Sequence, residues 1–292
     1  MTWARITQLA GNYMSHEMIK LHTDLPDFPY GRISLLYTML NHHPAAAVHK
    51  ELYSVVTSLV QLGLDTHESV GNNASVPKGE FRAMRSQQLK VLAGDYFSSR
   101  FYQLLSQAGQ LDLVRLLSEA VSEINQTKMI FYTKMKQMKL TAEEYLHMGT
   151  SMKSGLFLSF TSCMNSVYER IWPEMVDRFS RCEVLLEELH KVKESTSLLG
   201  SWGVWFIAQE GSEDDRLRLA GNHEDESLLK SLFNKYEVTS KLSGLLRHSV
   251  GQLQALIQRL QSDKLQRELH TLIEPFLQAS SSQPATALKE LG

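Results

Sequence analysis

From Pro77 to Pro173 the chain contains no proline, and apolar side chains return through that stretch at three- and four-residue steps. A run this long without the strongest helix breaker, and with helical rather than alternating period, commits the middle of the chain to α-helix. Leu89, Leu92, Ala93, Tyr96, Leu104 and Leu105 form one such stripe. Gly94 interrupts it. A glycine inside a helix gives up about 1 kcal/mol of propensity relative to alanine, so packing is expected to require it, with another helix backbone crossing close by. Asp95 follows directly and either joins a hydrogen-bond network at that crossing or stands in solvent.

The rest of the chain follows the same pattern. One helix is expected over residues 1–25 and a short one through Ile33, Leu36 and Leu40, and a strongly amphipathic one carries Val48, Leu52, Val55, Val56, Leu59 and Leu62. Residues 71–79 read as loop. A helix from Leu111 runs towards Lys139, where Met129, Met135 and Met138 suit either core gaps or the lining of a greasy ligand site. Thr141 with Glu144 reads as a capping box opening a further helix that leads to Lys153. The next helix starts near Trp172 and Pro173 and includes Glu183, Glu187 and Glu188, read as a solvated face. Residues 200–227 read as an irregular insertion, a short apolar element followed by an acidic loop. Regular helices return from Leu228, and 279–292 reads as a flexible tail. The fold class is therefore all-α: one large multi-helix bundle over residues 1–278.

Composition narrows the function classes. Thirty basic against thirty-two acidic side chains give a net charge of -2, which favours neither nucleic acid nor an anionic membrane as partner. Two cysteines without close cysteine or histidine neighbours argue against a zinc site and a disulfide framework, and a reducing cytoplasm is expected. The start of the chain does not resemble a signal peptide. No apolar run approaches the roughly 20 residues that span a bilayer, so no integral membrane segment is expected.

The string Leu64-Asp65-Thr66-His67, followed by Gln87 to Ser98 with Val91-Leu92-Ala93-Gly94-Asp95-Tyr96 at its centre, resembles component I, the small non-catalytic subunit of bacterial two-component heptaprenyl diphosphate synthases. The likeness is clear over about Val55 to Lys128 and fades towards Cys163. More broadly, Val91 to Tyr96 resembles the helix after the first aspartate-rich motif of trans-prenyl diphosphate synthases. The resemblance implies an isoprenoid-synthase type of bundle.

Trans-prenyl transfer ionises an allylic diphosphate, so an active site must hold magnesium with clustered carboxylates on two facing helices. Matched to the family's first motif, this chain offers Asp65, His67 and Glu68, with Ser69 and Asn72 where further aspartates would stand. A lone glutamate is a poor magnesium site. At the second motif Glu187 and Glu188 are followed by Lys191 where another carboxylate is expected. Lys153 resembles the family's diphosphate-contacting lysine. No phosphate loop, zinc spacing or nucleophile elbow appears, so no catalytic residue and no metal ligand is assigned.

The resemblance implies a heterodimer with a catalytic trans-prenyltransferase subunit that carries two aspartate-rich motifs and the magnesium, this chain holding no cofactor. Such a complex would extend farnesyl diphosphate, the bound allylic substrate, to heptaprenyl diphosphate for the menaquinone side chain. By the same analogy Phe97, Arg100, Phe101 and Gln103 face the partner, while Gly94, Asp95 and Tyr96 support that helix. Gly63 and Leu64 fall where the family's product tunnel is capped. Two alternatives stay open: an independently active synthase, and a helical scaffold unrelated to isoprenoids.

Overall fold

The structure, a computed structural model, describes residues 2–14, 17–44, 46–71, 81–164, 167–196, 198–221 and 225–281. Thirteen α-helices and one 3₁₀ turn, without strands, make up the regular structure among the described residues. The chain divides into two compact units, Met1–Val121 with Ser159–Glu169 and Ser122–Leu158 with Arg170–Gly292.

The first unit contains α1 (Thr2–Met14), α2 (Glu17–His22), α3 (Tyr30–Asn41), α4 (Lys50–Glu68), α5 (Phe81–Gln107) and the start of α6 (Leu111–Lys136). The single helix expected over 1–25 is thus two. At the centre stands α4, in which every residue from Tyr53 to Leu64 is buried. Ser54 aside, the polar side chains buried along this covered helix are hydrogen-bonded. Thr57 and Ser58 turn back onto the carbonyls of Tyr53 and Val55, each at 2.7 Å, and Thr66 onto that of Leu62 at 2.5 Å. Gln61 accepts from Arg32 Nη1 at 3.0 Å and donates to Asp65 Oδ1 at 2.7 Å. Ile33, Leu36 and Leu40 of α3 cover one side of this helix.

Helix α5 covers another side, and the crossing is glycine on glycine. A Cβ at Gly63 would lie 2.7 Å from Ser98 Oγ and 3.2 Å from the Gly94 carbonyl oxygen; one at Gly94 would lie 2.6 Å from His67 Nε2. This contact sets the rotation of α5. With Gly94 turned to α4, Ala93, Phe97, Phe101 and Leu105 follow into the core at four-residue steps. Leu92, about 200° away around the helix, is 62% exposed. Of the expected stripe Ala93 and Leu105 are thus in the core, whereas Leu92 points outward and Leu89, Tyr96 and Leu104 lie at its margin.

The second unit holds the end of α6, then α7 (Ala142–Leu158), most of α8 (Tyr168–Glu194), α9 (Trp202–Glu210), α10 (Glu213–Gly221), α11 (Glu226–Lys235), α12 (Val238–Gln258) and α13 (Asp263–Ser281). The capping box at the start of α7 is formed as expected: Thr141 Oγ1 accepts from the Glu144 amide at 3.1 Å, and Glu144 Oε2 from the Thr141 amide at 3.0 Å. Helix α8 begins before Trp172, so Pro173 lies inside it. The Trp172 indole, fully buried, donates to the Phe157 carbonyl at 2.9 Å and so satisfies an oxygen of the last turn of α7.

Residues 200–227, expected to be irregular, form α9 and α10 and lead into α11. Their acidic runs are helix starts, where the macrodipole favours negative charge. Asp215, in the first turn of α10, is buried and accepts from Lys235 Nζ at 2.5 Å, the Tyr236 hydroxyl at 2.6 Å and Ser212 Oγ at 2.8 Å. These donors, Lys235 foremost, hold its carboxyl well below the usual carboxylate range. Asp225 caps α11, accepting from the amides of Ser227 and Leu228 at 2.9 and 3.2 Å. Residues 279–281 continue α13 rather than opening a tail, and the remainder of that expected tail lies outside the described residues.

One carboxylate joins three helices of this unit. Glu188 of α8, 1% exposed, accepts from the Tyr145 hydroxyl of α7 at 2.8 Å, from Lys191 Nζ at 2.6 Å and from the Trp202 amide of α9 at 2.7 Å. Burial first, and then the Glu188 charge, push the Tyr145 phenol well above its ordinary range, so it remains the donor. Glu187 beside it is the solvated residue of the pair, meeting only Lys153 among the described ion pairs.

Two outcomes follow from this packing. Gly63→Val is expected to cost about 2–4 kcal/mol and lower the melting temperature by roughly 5–10 °C, because the Gly94 backbone cannot yield. Gly94→Ala should cost less, since the His67 ring can swing outward. In chemical denaturation Glu188→Gln should lose about 2–4 kcal/mol, whereas Glu187→Gln should stay within about 1 kcal/mol of the parent. Equal effects of the two would contradict the assigned role of Glu188.

Candidate functional site

The residues that match diphosphate-binding positions fall at the end of α4 in the first unit and on α7 and α8 in the second. In the first, Asp65 is engaged by Gln61, and His67 Nε2 lies 3.3 Å from Asp95 Oδ1 on α5. Glu68, the last residue of α4, is exposed. The Gly71 amide donates to Gln87 Oε1 at 3.0 Å, tying the chain after α4 to α5. Asn72 and Lys78 lie outside the described residues.

In the second unit Lys153 Nζ lies 2.7 Å from Glu187 Oε1, and the Glu188 carboxylate is taken up by Tyr145, Lys191 and Trp202. Glu188 is therefore no member of a solvated face. Its burial is a signal that sequence reading missed, although Leu185 three positions before and Leu189 one position after it mark the inner face of α8. Cys182, on the same inner face, is free and its thiol is pushed up to about 12, chiefly by burial, which makes it a packing residue rather than a nucleophile.

A magnesium site needs several oxygens free to converge on one point. Among the described residues no group of three or more His, Cys, Asp or Glu side chains is placed to hold a metal ion. Asp65, Glu187 and Glu188 are each engaged by protein donors instead, so the described residues do not fit a magnesium–diphosphate centre.

The other expected site residues separate into an inner and an outer set. Phe97 and Phe101 are buried in the first unit and do not face outward, because the glycine crossing turns them onto α4. Gly63 packs against Ser98 and Gly94, so its missing side chain makes room for α5 rather than for a tunnel; Leu64 beside it is buried. Arg100 donates to Gln103 Oε1 at 2.5 Å and to the Tyr96 hydroxyl at 3.2 Å, with its guanidinium over the rings of Tyr96 and Tyr13. Asp95 and Gln103 are exposed. Sequence reading passed over the apolar part of that outer face, Leu92 and Tyr102 on α5 with Leu111 at the start of α6, all of them exposed. No described helix is long and apolar enough to cross a membrane.

Residues 16–218 match the family described as heptaprenyl diphosphate synthase (HEPPP synthase) subunit 1. Heptaprenyl diphosphate synthase component 1 of Geobacillus stearothermophilus is 38% identical over 96 residues, which are 33% of this chain and 40% of that protein. The match thus spans well under half of the relative's length. Heptaprenyl diphosphate synthase from Staphylococcus aureus has the same fold at a TM-score of 0.74 and 11% identity, over 97% of this chain and 98% of that one. Decaprenyl diphosphate synthase from Rhodobacter capsulatus superposes at 0.72 and 14% identity, over 95% of each chain. With an isoprenyl diphosphate synthase fold and a family match across well over half of its residues, the chain belongs to the heptaprenyl diphosphate synthase subunit 1 family.

Proposed function

We propose that this chain is the non-catalytic subunit of a two-component heptaprenyl diphosphate synthase, with the chemistry performed by a catalytic partner that carries two aspartate-rich motifs and binds magnesium. The observation that carries this reading is the state of the carboxylates. Where relatives would gather charge for a metal, Asp65, Glu187 and Glu188 are held by Gln61, Lys153 and the Tyr145, Lys191 and Trp202 donors. Releasing Glu188 would break buried contacts, which makes its recruitment to a metal unfavourable.

The complex extends farnesyl diphosphate with isopentenyl diphosphate, and its heptaprenyl product supplies the menaquinone side chain in the cytoplasm. The partner docks on the outer face of the first unit. Leu92, Tyr102 and Leu111 expose apolar surface there, and Asp95 and Gln103 add polar groups around it. The resemblance to component I and the family match both support a subunit of this kind.

Purified alone with magnesium, farnesyl diphosphate and isopentenyl diphosphate, the chain should form no polyprenyl product, and product should appear when a catalytic subunit with both aspartate motifs is added. Turnover by the chain alone would favour an independent synthase. Failure to bind or activate any such subunit would favour a scaffold. Leu92→Asp with Tyr102→Asp should weaken co-purification about tenfold or more while leaving the circular dichroism of the chain unchanged.

A further inference from the structure

Helices α5 and α6 end in the same turn with different residues at its centre. After α5 the Gly109 amide donates to the Ser106 carbonyl at 3.1 Å and the Gln110 amide to the Leu105 carbonyl at 2.8 Å. After α6 the Met138 amide donates to the Met135 carbonyl and the Lys139 amide to the Lys134 carbonyl, both at 3.0 Å. The central residue is left-handed in each, Gly109 at φ 69° and Met138 at φ 52°. Glycine takes that conformation freely and methionine does not. The Met138 side chain is 50% exposed, so packing within the chain does little to offset the strain.

A second apolar tip stands beside it. A Cβ at Gly200 would lie 3.1 Å from the Met135 methyl, so the chain just before α9 packs on the end of α6. Leu199 is left 52% exposed there and shares one apolar depression with Tyr132, Lys136 and Met138. The charge around these tips is basic. From Ile124 to Ala142 the chain carries four lysines and no acidic residue, and no acidic side chain lines the depression. Lys136, Lys139 and, at the end of α8, Lys193 are exposed and make no ion pair among the described residues, while Glu194 beside Lys193 offsets one of the three. Protein interfaces are poor in lysine, whereas an anionic lipid leaflet attracts every lysine near it. Large apolar side chains on chain reversals, ringed by lysines, therefore fit a lipid surface better than a protein one.

We propose that this edge of the second unit docks on an anionic phospholipid bilayer, with Met138, Leu199 and Tyr132 entering the headgroup region and Lys136, Lys139 and Lys193 meeting lipid phosphates. The net charge of -2 supplies no long-range attraction, so the contact is local, weak and reversible. It does not rest on the assignment of a catalytic partner, and its test needs none.

The full chain would be sedimented with vesicles of phosphatidylcholine alone and with vesicles that also contain phosphatidylglycerol, at low and at high salt. At least about tenfold more chain should bind the anionic vesicles at low salt, and high salt should remove most of that difference. Lys136→Glu with Lys139→Glu should weaken binding to anionic vesicles about tenfold or more. Met138→Gly with Leu199→Ser should weaken it about threefold or more, and Met138→Gly by itself, which relaxes the turn, should not lower the melting temperature. Equal binding to the two kinds of vesicle, or binding undiminished by the paired lysine change, would overturn the proposal. So would variants that keep vesicle binding and instead lose a catalytic subunit on co-purification, because a protein would then cover this edge. All the changed side chains are exposed, and either pair tests the surface if the other misfolds.

Discussion

The crossing of α4 and α5 at Gly63 and Gly94 fixes the arrangement of the first unit's core. Neither position has room for a Cβ, so the backbones of α4 and α5 meet directly. A helix pair this close has little rotational freedom. Ala93, Phe97, Phe101 and Leu105 must turn inward, Leu92 and Tyr102 must turn outward, and His67 must lie against Gly94 beside Asp95. The covered core and the exposed apolar face of α5 are two consequences of one contact.

The charges of the two candidate regions are spent differently. His67 with Asp95 and Lys153 with Glu187 are surface contacts, worth at most about 1 kcal/mol each after solvent screening. Glu188 is another kind of group. Buried with three donors from α7, α8 and the start of α9, it carries a charge that would be costly if any donor were lost. This chain uses that carboxylate to hold helices together. Asp215 and Asp225, which read as part of an acidic loop in sequence, are likewise helix-terminal acceptors in the structure.

Local rules with short reach were legible in the sequence. The Thr141–Glu144 capping box and the long helices of the proline-free stretch follow from neighbours within one or two turns, and the cost of a glycine inside a helix pointed to the crossing at Gly94. What failed was rotation. Leu92 with Tyr96 and Ala93 with Phe97 fit helical spacing equally well, and only the partner helix decides between them. The acidic run at 213–215 was read as loop for a related reason: charge density marks loops and helix N-termini alike, and the donors that settle the matter, Lys235 and Tyr236, lie some twenty positions away. Glu188 was hidden by its neighbour, because adjacent glutamates on a helix point in different directions and only one of them is solvated.

This bears on what a family motif reports. The run from Val91 to Tyr102 stands beside catalytic aspartates in trans-prenyltransferases, which invites reading it as part of an active site. Here each of its features has a mechanical origin. Gly94 is required by the crossing, Phe97 and Phe101 by the four-residue period that the crossing sets, and Arg100 is held by Tyr96 and Gln103 on its own helix. None of these contacts needs a diphosphate or a metal. A chain that lacked the chemistry would still need the motif to assemble α4 and α5, and assembling them leaves Leu92 and Tyr102 on the outside, available to a partner.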